Sequence, residues 1–226
     1  MKLALLTLPA ELAAYREQLL ACIDSDKRRR LLRYRHQEDR DRSMLADIFI
    51  RYTVMRAFGL RNRDIAFQIG EWGKPALQLP VPFHFNCSHA GIYVAAAIAE
   101  EPVGCDIEIV ERADLGVARL VFTTDECRSL LEREGFERDR EFYRLWTRKE
   151  SYVKATGKGI GESLPSYGVL GDRVSGDEAW AVRSYNVEPD VQIAVCCASR
   201  NFPERVEKVD TLPMLRAFLQ LVAKEG

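Results

Sequence analysis

The spacing of apolar residues switches between a strand period and a helical period along the chain. The opening run through Leu8 is short, apolar and broken at Pro9, which predicts a first strand. From residue 9 to 58, Leu, Tyr, Ile and Val recur at helical spacing with charged residues between them, and the pattern stops at Gly59. Ile65, Phe67 and Ile69 then alternate as in a strand, and the stretch from Gly73 to Pro75 reads as a turn. Apolar stretches follow at 83–87, 92–99 and 103–110, the last two predicting a hairpin closed around Pro102. Helical spacing returns at 124–134 and 140–156 and leads into a glycine-rich stretch. Strands are predicted near 179–187 and 191–198, and a last helix over 211–224.

Helices followed by strands, twice over, predict an α+β fold of two similar halves, 1–112 and 113–226, with the division in the region 110–123. A ligand is expected in the groove between the halves. The size fits this, since 226 residues with 47% apolar and 30% charged side chains can bury one sizeable core or two small ones. A net charge of −1 argues against a general nucleic-acid or membrane-surface binder, so any anion site is expected to be local. The six cysteines form no CxxC pair and read as reduced thiols of a cytoplasmic protein. Pro9, Glu11 and Arg16 interrupt the signal-peptide-like start, and no window approaches the roughly 20 apolar residues of a membrane span.

Asp106 and Glu108 lie two apart on a predicted strand, so both side chains leave on one face while Cys105, Ile107 and Ile109 leave on the other. Two carboxylates so placed repel and raise one another's pKa unless a cation stands between them. Taken alone, so short a pattern also marks a solvated strand end. Phe142, Trp146, Glu150 and Lys154 form an i, i+4 series, an apolar stripe that runs into a carboxylate and an ammonium. Here the plain alternative is an intrahelical Glu150–Lys154 pair with Trp146 in the core. Three carboxylates without a His or Cys ligand pattern suit a hard, oxygen-seeking ion such as magnesium, which completes its shell with water and phosphate oxygens.

Lys27 opens the densest basic run and shares a helix face with Arg30, an arrangement that suits a phosphate and equally a solvated face; the same caution covers Arg40, Arg42 and Ser43. Lys74 stands between a flexible Gly73 and a rigid Pro75, which would turn its carbonyls and ammonium toward a ligand in a fixed direction. Ser88 and His89 offer a hydroxyl and an imidazole to phosphate oxygens. As neighbours on an extended chain they point to opposite faces, so they do not form a nucleophile and base pair. His36 and His84 read as structural.

Taken in order, GKPAL at 73, FNCSHAG at 85, VGCDIE at 103 and FYRLWTRKESYVKATGKGI at 142 resemble the signature series of the 4'-phosphopantetheinyl transferases, in particular the long Sfp-type branch. The likeness extends upstream through KRRRLLRYRHQEDRDRSMLADIFIR and weakly to FPERV. The resemblance implies a monomer of two α+β halves with coenzyme A and magnesium in the groove between them. It also implies attack of a carrier-protein serine on the β-phosphorus of coenzyme A. By the same matching, Asp106, Glu108 and Glu150 are the expected magnesium ligands, with Glu150 also the base, and Lys154 the cation beside the pyrophosphate. Lys27 and Arg30 are the expected clamp on the 3'-phosphate. Ser43, Lys74, Pro75, Ser88, His89 and Lys149 are expected around the nucleotide and phosphates, with Glu126 near the site. The expected partners are acyl, peptidyl or polyketide carriers, with neither nucleic acid nor membrane. The departures are Arg30 for a lysine, Ser43 for a threonine and Ala90 for a serine, and none removes a charge the reaction needs.

Overall fold

The computed structural model describes residues 1–70, 73–157 and 164–225. Helices α1 (Leu12–Ala21), α2 (Ser25–Leu31) and α3 (Gln37–Phe58) follow strand β1 (Lys2–Thr7). A small hairpin, β2 (Phe67–Ile69) and β3 (Pro75–Leu77), precedes β4 (His84–Ala90), β5 (Tyr93–Ala99) and β6 (Val103–Ile109). Then come α4 (Leu115–Val121), α5 (Thr124–Leu131), α6 (Gly135–Thr156), β7 (Ala181–Glu188), β8 (Val191–Cys197), β9 (Glu207–Lys208) and α7 (Thr211–Ala223).

Two sheets stack face to face between two layers of helices. The first has the order β4-β5-β1-β9 and the second β6-β8-β7. Alternation along the strands explains the stacking. In β1, Ala4 and Leu6 face a core shared with α1, α3 and α7, whereas Leu3 and Leu5 face a second core shared with Cys105, Ile107, Ile193 and Val195 of the other sheet. The second sheet's far face, through Val182 and Cys196, packs on Leu145 and Val153 of α6. Strands β1 and β5 are therefore covered on both faces, which is why they read as unbroken apolar runs. The alanines of β5 (Ala95, Ala97 and Ala99) put small side chains at the sheet-to-sheet contact.

Helices α3 and α6 both run for 22 residues, and both end on a left-handed glycine, Gly59 (φ 66°) and Gly157 (φ 70°). There the missing Cβ removes the penalty of positive φ. Among the described residues no helix is long and apolar enough to cross a membrane.

The expected hairpin around Pro102 does not form. β5 pairs with β1 and β4, and β6 crosses to the second sheet to pair with β8. Both edges of β5 are already occupied, and the tight hairpin is instead β4–β5, turning through Gly91 at φ 53°. Thus β6, counted with the first half by a division at 112, hydrogen-bonds into the second sheet. The region 110–123 contains α4, and Ile65 ends a 3-10 turn rather than joining β2. The glycine-rich stretch after α6 falls mostly at 158–163, outside the described residues.

Candidate active site

Strand β4 separates two neighbouring polar sites. On one side lies a cleft of about 210 Å³ lined by residues that include Lys27, Arg30, Ser43, Pro75 and His89. Asp24 caps α2 by accepting the Lys27 N–H at 2.8 Å, which fixes the start of the helix that carries both basic side chains. The Lys27 ammonium donates to Ser43 Oγ at 3.0 Å across the cleft edge. Phe67, Ile69 and Phe85 add apolar wall, so the cleft offers flat hydrophobic surface beside cationic groups. Burial, with the nearby Arg42 charge, pushes His89 below the usual imidazole pKa, leaving it neutral at pH 7.

Ser88, the neighbour of His89, leaves β4 on the other side. Its hydroxyl donates to Asp106 Oδ1 at 2.8 Å. Lys154 donates to the same oxygen at 2.6 Å and to Ser88 Oγ at 3.0 Å. Asp106 is only 3% exposed, and its second oxygen, Oδ2, has no hydrogen-bond partner among the described residues. Gly104, two residues before it on the same face of β6, lets the α6 backbone come close, which brings Lys154 over Asp106. The repulsion expected between the carboxylates is present. Burial, then Asp106, then Glu150 raise Glu108 to about 7, against the opposing Lys154 charge and a Trp146 hydrogen bond. Burial and the charge of Asp106 raise Glu150 in the same way. Burial disfavours the Lys154 ammonium, but the charge and hydrogen bond of Asp106 outweigh it and hold its pKa above the usual lysine value.

These shifts set a pH dependence for the metal-free protein. An acid whose pKa is raised on folding binds more protons in the native state, so stability falls as pH rises from its ordinary value toward the folded one. For Glu108 that window runs from about 4.5 to about 7. Thermal melts in EDTA are expected to show Tm falling across it, and Glu108→Gln is expected to flatten the fall. A wild-type slope retained in the variant would assign the effect elsewhere.

Three expected site residues stand apart from both sites. The Lys74 ammonium donates to the carbonyls of Val103 at 2.9 Å and Lys154 at 2.6 Å, pinning the β2–β3 hairpin to the end of α6 rather than facing the cleft. Lys149 is 1% exposed, ion-paired with Glu126 at 3.0 Å, and donates to the carbonyls of Leu164 and Tyr167 at 2.8 and 2.6 Å. An ammonium so enclosed has no donor to spare for a phosphate. Glu126 completes a capping box at Thr123 and accepts the Val169 N–H at 2.6 Å, so its carboxylate is structural. Conversely, Gln192 had no signal in the sequence. It stands opposite Glu108 on β8, 1% exposed, and its Nε2 has no hydrogen-bond partner among the described residues.

Known proteins match the sequence of this chain over most of its length. The family model described as 4'-phosphopantetheinyl transferase, N-terminal, matches residues 12–101, and that of the 4'-phosphopantetheinyl transferase superfamily matches residues 102–196. The 4'-phosphopantetheinyl transferase ffp of Bacillus subtilis is 33% identical over 201 residues, 85% of this chain and 90% of its own. The chain belongs to the 4'-phosphopantetheinyl transferase superfamily. Also similar are 4'-phosphopantetheinyl transferase Sfp of Bacillus subtilis (strain 168), 34% identical over 85% of this chain and 90% of its own, and psf-1 of Bacillus pumilus, 34% identical over 84% and 85%. The two phosphopantetheinyl transferase models meet between Glu101 and Pro102, just before the strand that crosses from one sheet to the other.

Proposed function

We propose that this phosphopantetheinyl transferase moves the 4'-phosphopantetheine moiety of coenzyme A onto a serine of an apo carrier protein in a magnesium-dependent reaction, releasing adenosine 3',5'-bisphosphate. The observation that carries this reading is strand β4, which turns His89 into a cationic, partly apolar cleft and Ser88 onto the Asp106–Lys154 pair. One molecule with a phosphorylated nucleotide at one end and a pyrophosphate next to it suits both sides of that strand. Lys27 and Arg30 are read as the clamp on the 3'-phosphate, with Ser43, Pro75 and His89 around the nucleotide.

As the side chains stand, no group of three His, Cys, Asp or Glu among the described residues is arranged to hold a metal ion. Lys154 neutralises one oxygen of Asp106 in that arrangement. The donor set nevertheless fits magnesium. Among the described residues Asp106 keeps a buried oxygen without a partner, and burial together with the charge of Asp106 raises Glu108 and Glu150 even though Lys154 opposes the shift. Asp106, Glu108 and Glu150 would hold the ion, which when bound withdraws charge from pyrophosphate oxygens.

The chain's own groups account for the proton and the leaving charge. Glu150, with its raised pKa, accepts the proton of the carrier serine as its oxygen bonds to the β-phosphorus. The bond from that phosphorus to the bridging oxygen breaks, and the Lys154 ammonium stabilises the charge left on the departing phosphate. Acyl, peptidyl and polyketide carriers all present such a serine. The reading includes a cytoplasmic monomer of two α+β halves, with the division drawn at Pro102, where the chain leaves the first sheet.

The test is intact-mass measurement of apo carriers of the three types incubated with coenzyme A, with magnesium or with EDTA. A gain of about 340 Da, the mass of the phosphopantetheine arm, only with magnesium is expected. No gain on any carrier, despite measurable coenzyme A binding, would turn the reading to a non-catalytic binding module. Lys27→Ala is expected to weaken coenzyme A by about tenfold or more while weakening 3'-dephospho-coenzyme A far less. Calorimetric titration of both ligands checks this, and equal weakening of the two would remove the clamp.

A further inference from the structure

One buried side chain outside both sites holds the cleft's walls together. Arg51 on α3 is 2% exposed, and its guanidinium reaches in several directions. Nε donates to Asp47 at 2.6 Å and Nη2 to Asp24 Oδ2 at 3.1 Å. Nη1 donates to Asn62 Oδ1 at 3.3 Å and to the Ile65 carbonyl at 3.2 Å. The guanidinium carbon lies 5.0 Å from the centre of the Phe67 ring.

Those contacts converge on the cleft from separate segments. Asp24, Asp47 and Phe67 all line it, whereas Arg51 does not. Asp24 divides its two oxygens between Arg51 and the Lys27 N–H, so a single carboxylate couples α3 to the helix presenting Lys27 and Arg30. Phe67 couples the same guanidinium to the β2–β3 hairpin on the other side. Burying a guanidinium carries a large desolvation cost, and a well-packed apolar side chain would serve a plain core as well or better. What an apolar residue lacks is a rigid fork that sets the separation of several polar segments at once.

The same device recurs around the second long helix. Aligning α3 and α6 on their terminal glycines matches RYTVMRAFG at 51–59 with KESYVKATG at 149–157 and sets Arg51 opposite Lys149. Lys149 is also buried and ion-paired with an acid at the start of an earlier helix, Glu126. Like Arg51, it donates to carbonyls of the segment beyond the long helix, and it lies 4.5 Å from an aromatic ring, that of Tyr167. The position is thus an organising point in both halves, and in the first half what it organises is the cleft.

We propose that Arg51 is a positioning residue for coenzyme A, setting the place of Lys27 and Arg30 relative to the opposite wall without touching the ligand. The inference rests on the reading of the cleft as the nucleotide site and of that pair as its 3'-phosphate clamp. The test uses the full chain and three variants. Arg51→Lys keeps the buried charge but loses the fork, Lys27→Ala removes part of the clamp, and the double variant combines them. Affinities for coenzyme A and 3'-dephospho-coenzyme A, kcat and KM with one apo carrier, and Tm are measured for each.

Arg51→Lys is expected to raise KM for coenzyme A about tenfold, with kcat at saturating coenzyme A within about twofold of wild type and a smaller preference for coenzyme A over the dephospho form. The double variant is expected to bind coenzyme A about as well as Lys27→Ala alone, because positioning a clamp already broken changes little. Equal loss for both ligands, a fall in kcat with KM unchanged, or additive effects in the double variant would each overturn the proposal. Should Arg51→Lys not fold, Asp24→Asn carries the same test, since asparagine keeps the helix cap and removes the ion pair. A wild type that does not prefer coenzyme A over its dephospho form, or an unchanged preference in Lys27→Ala, identifies failure of the clamp reading instead and takes the proposal with it.

Discussion

Alanine at position 104 is expected to destabilise the fold strongly. A Cβ there would stand 2.0 Å from the Ser151 carbonyl oxygen, 2.3 Å from the Ala155 nitrogen and 2.8 Å from the Lys154 carbonyl carbon. All three atoms are helix backbone, so no side-chain rotamer relieves the overlap and α6 must lift away from β6. Overpacking of this kind costs about 1–3 kcal/mol, and more where backbone has to move, against a total stability of roughly 5–15 kcal/mol. A Tm lower by about 10 °C or more is expected in a chain of this size. The lifted helix carries Lys154, so the 2.6 Å contact with Asp106 opens as well, and the fraction that still folds is expected to be nearly inactive. Circular dichroism melts and the carrier-loading assay check both parts. A Gly104→Ala protein that melts within a few degrees of wild type would mean that helix and strand do not meet as closely as described.

Glu150→Gln is expected to do the reverse, sparing the fold and removing the reaction. The side chain is partly buried, and burial together with the charge of Asp106 holds its pKa above the usual carboxylate value. Its ionised form is therefore disfavoured in the fold, and an uncharged isostere should melt at the wild-type temperature or slightly above it near pH 7.5. With Glu150 as the proposed proton acceptor, its loss is expected to lower kcat by about 10²–10⁴-fold, and its proposed role as a metal ligand adds to that. KM for coenzyme A should change little, because the cleft proposed for the nucleotide lies on the far side of β4. Initial rates at saturating magnesium, with melts of the same samples, separate these effects. Turnover like that of wild type would remove Glu150 from the reaction.

The two expectations differ in how much of each was readable in the sequence. The face shared by Asp106 and Glu108 follows from the two-residue period of a strand, and that shared by Glu150 and Lys154 from the helical repeat. Both are properties of a few consecutive residues. The helical character of the stretch ending at Gly59, though not its division into α1, α2 and α3, was legible for the same reason, as were the strands β7 and β8 and the last helix. Gly104 also lies in a motif plain in the sequence, yet nothing local says that another helix's backbone rests on it. Lys149 and Lys154 look alike along α6, but one is enclosed by Glu126 and the chain beyond the helix while the other reaches Asp106 and Ser88. The ammonium of Lys74, bounded by a glycine and a proline that suggested a ligand contact, is taken by carbonyls of Val103 and Lys154.

By itself, then, the sequence determined where the long helices and the main strands lie, though not α4, β3 or β9, as well as which charged residues share a face and the family to which those motifs point. Only the tertiary structure decided that β6 leaves its neighbour β5 for the second sheet, that Lys149 and Glu126 neutralise each other in the interior, and that Arg51 binds the walls of the cleft. The physical reason is that the backbone period dictates the side of an element on which a residue leaves. What covers that side is set by long-range packing, in which sheet edges already filled and buried charges in need of partners choose among segments far apart in the chain.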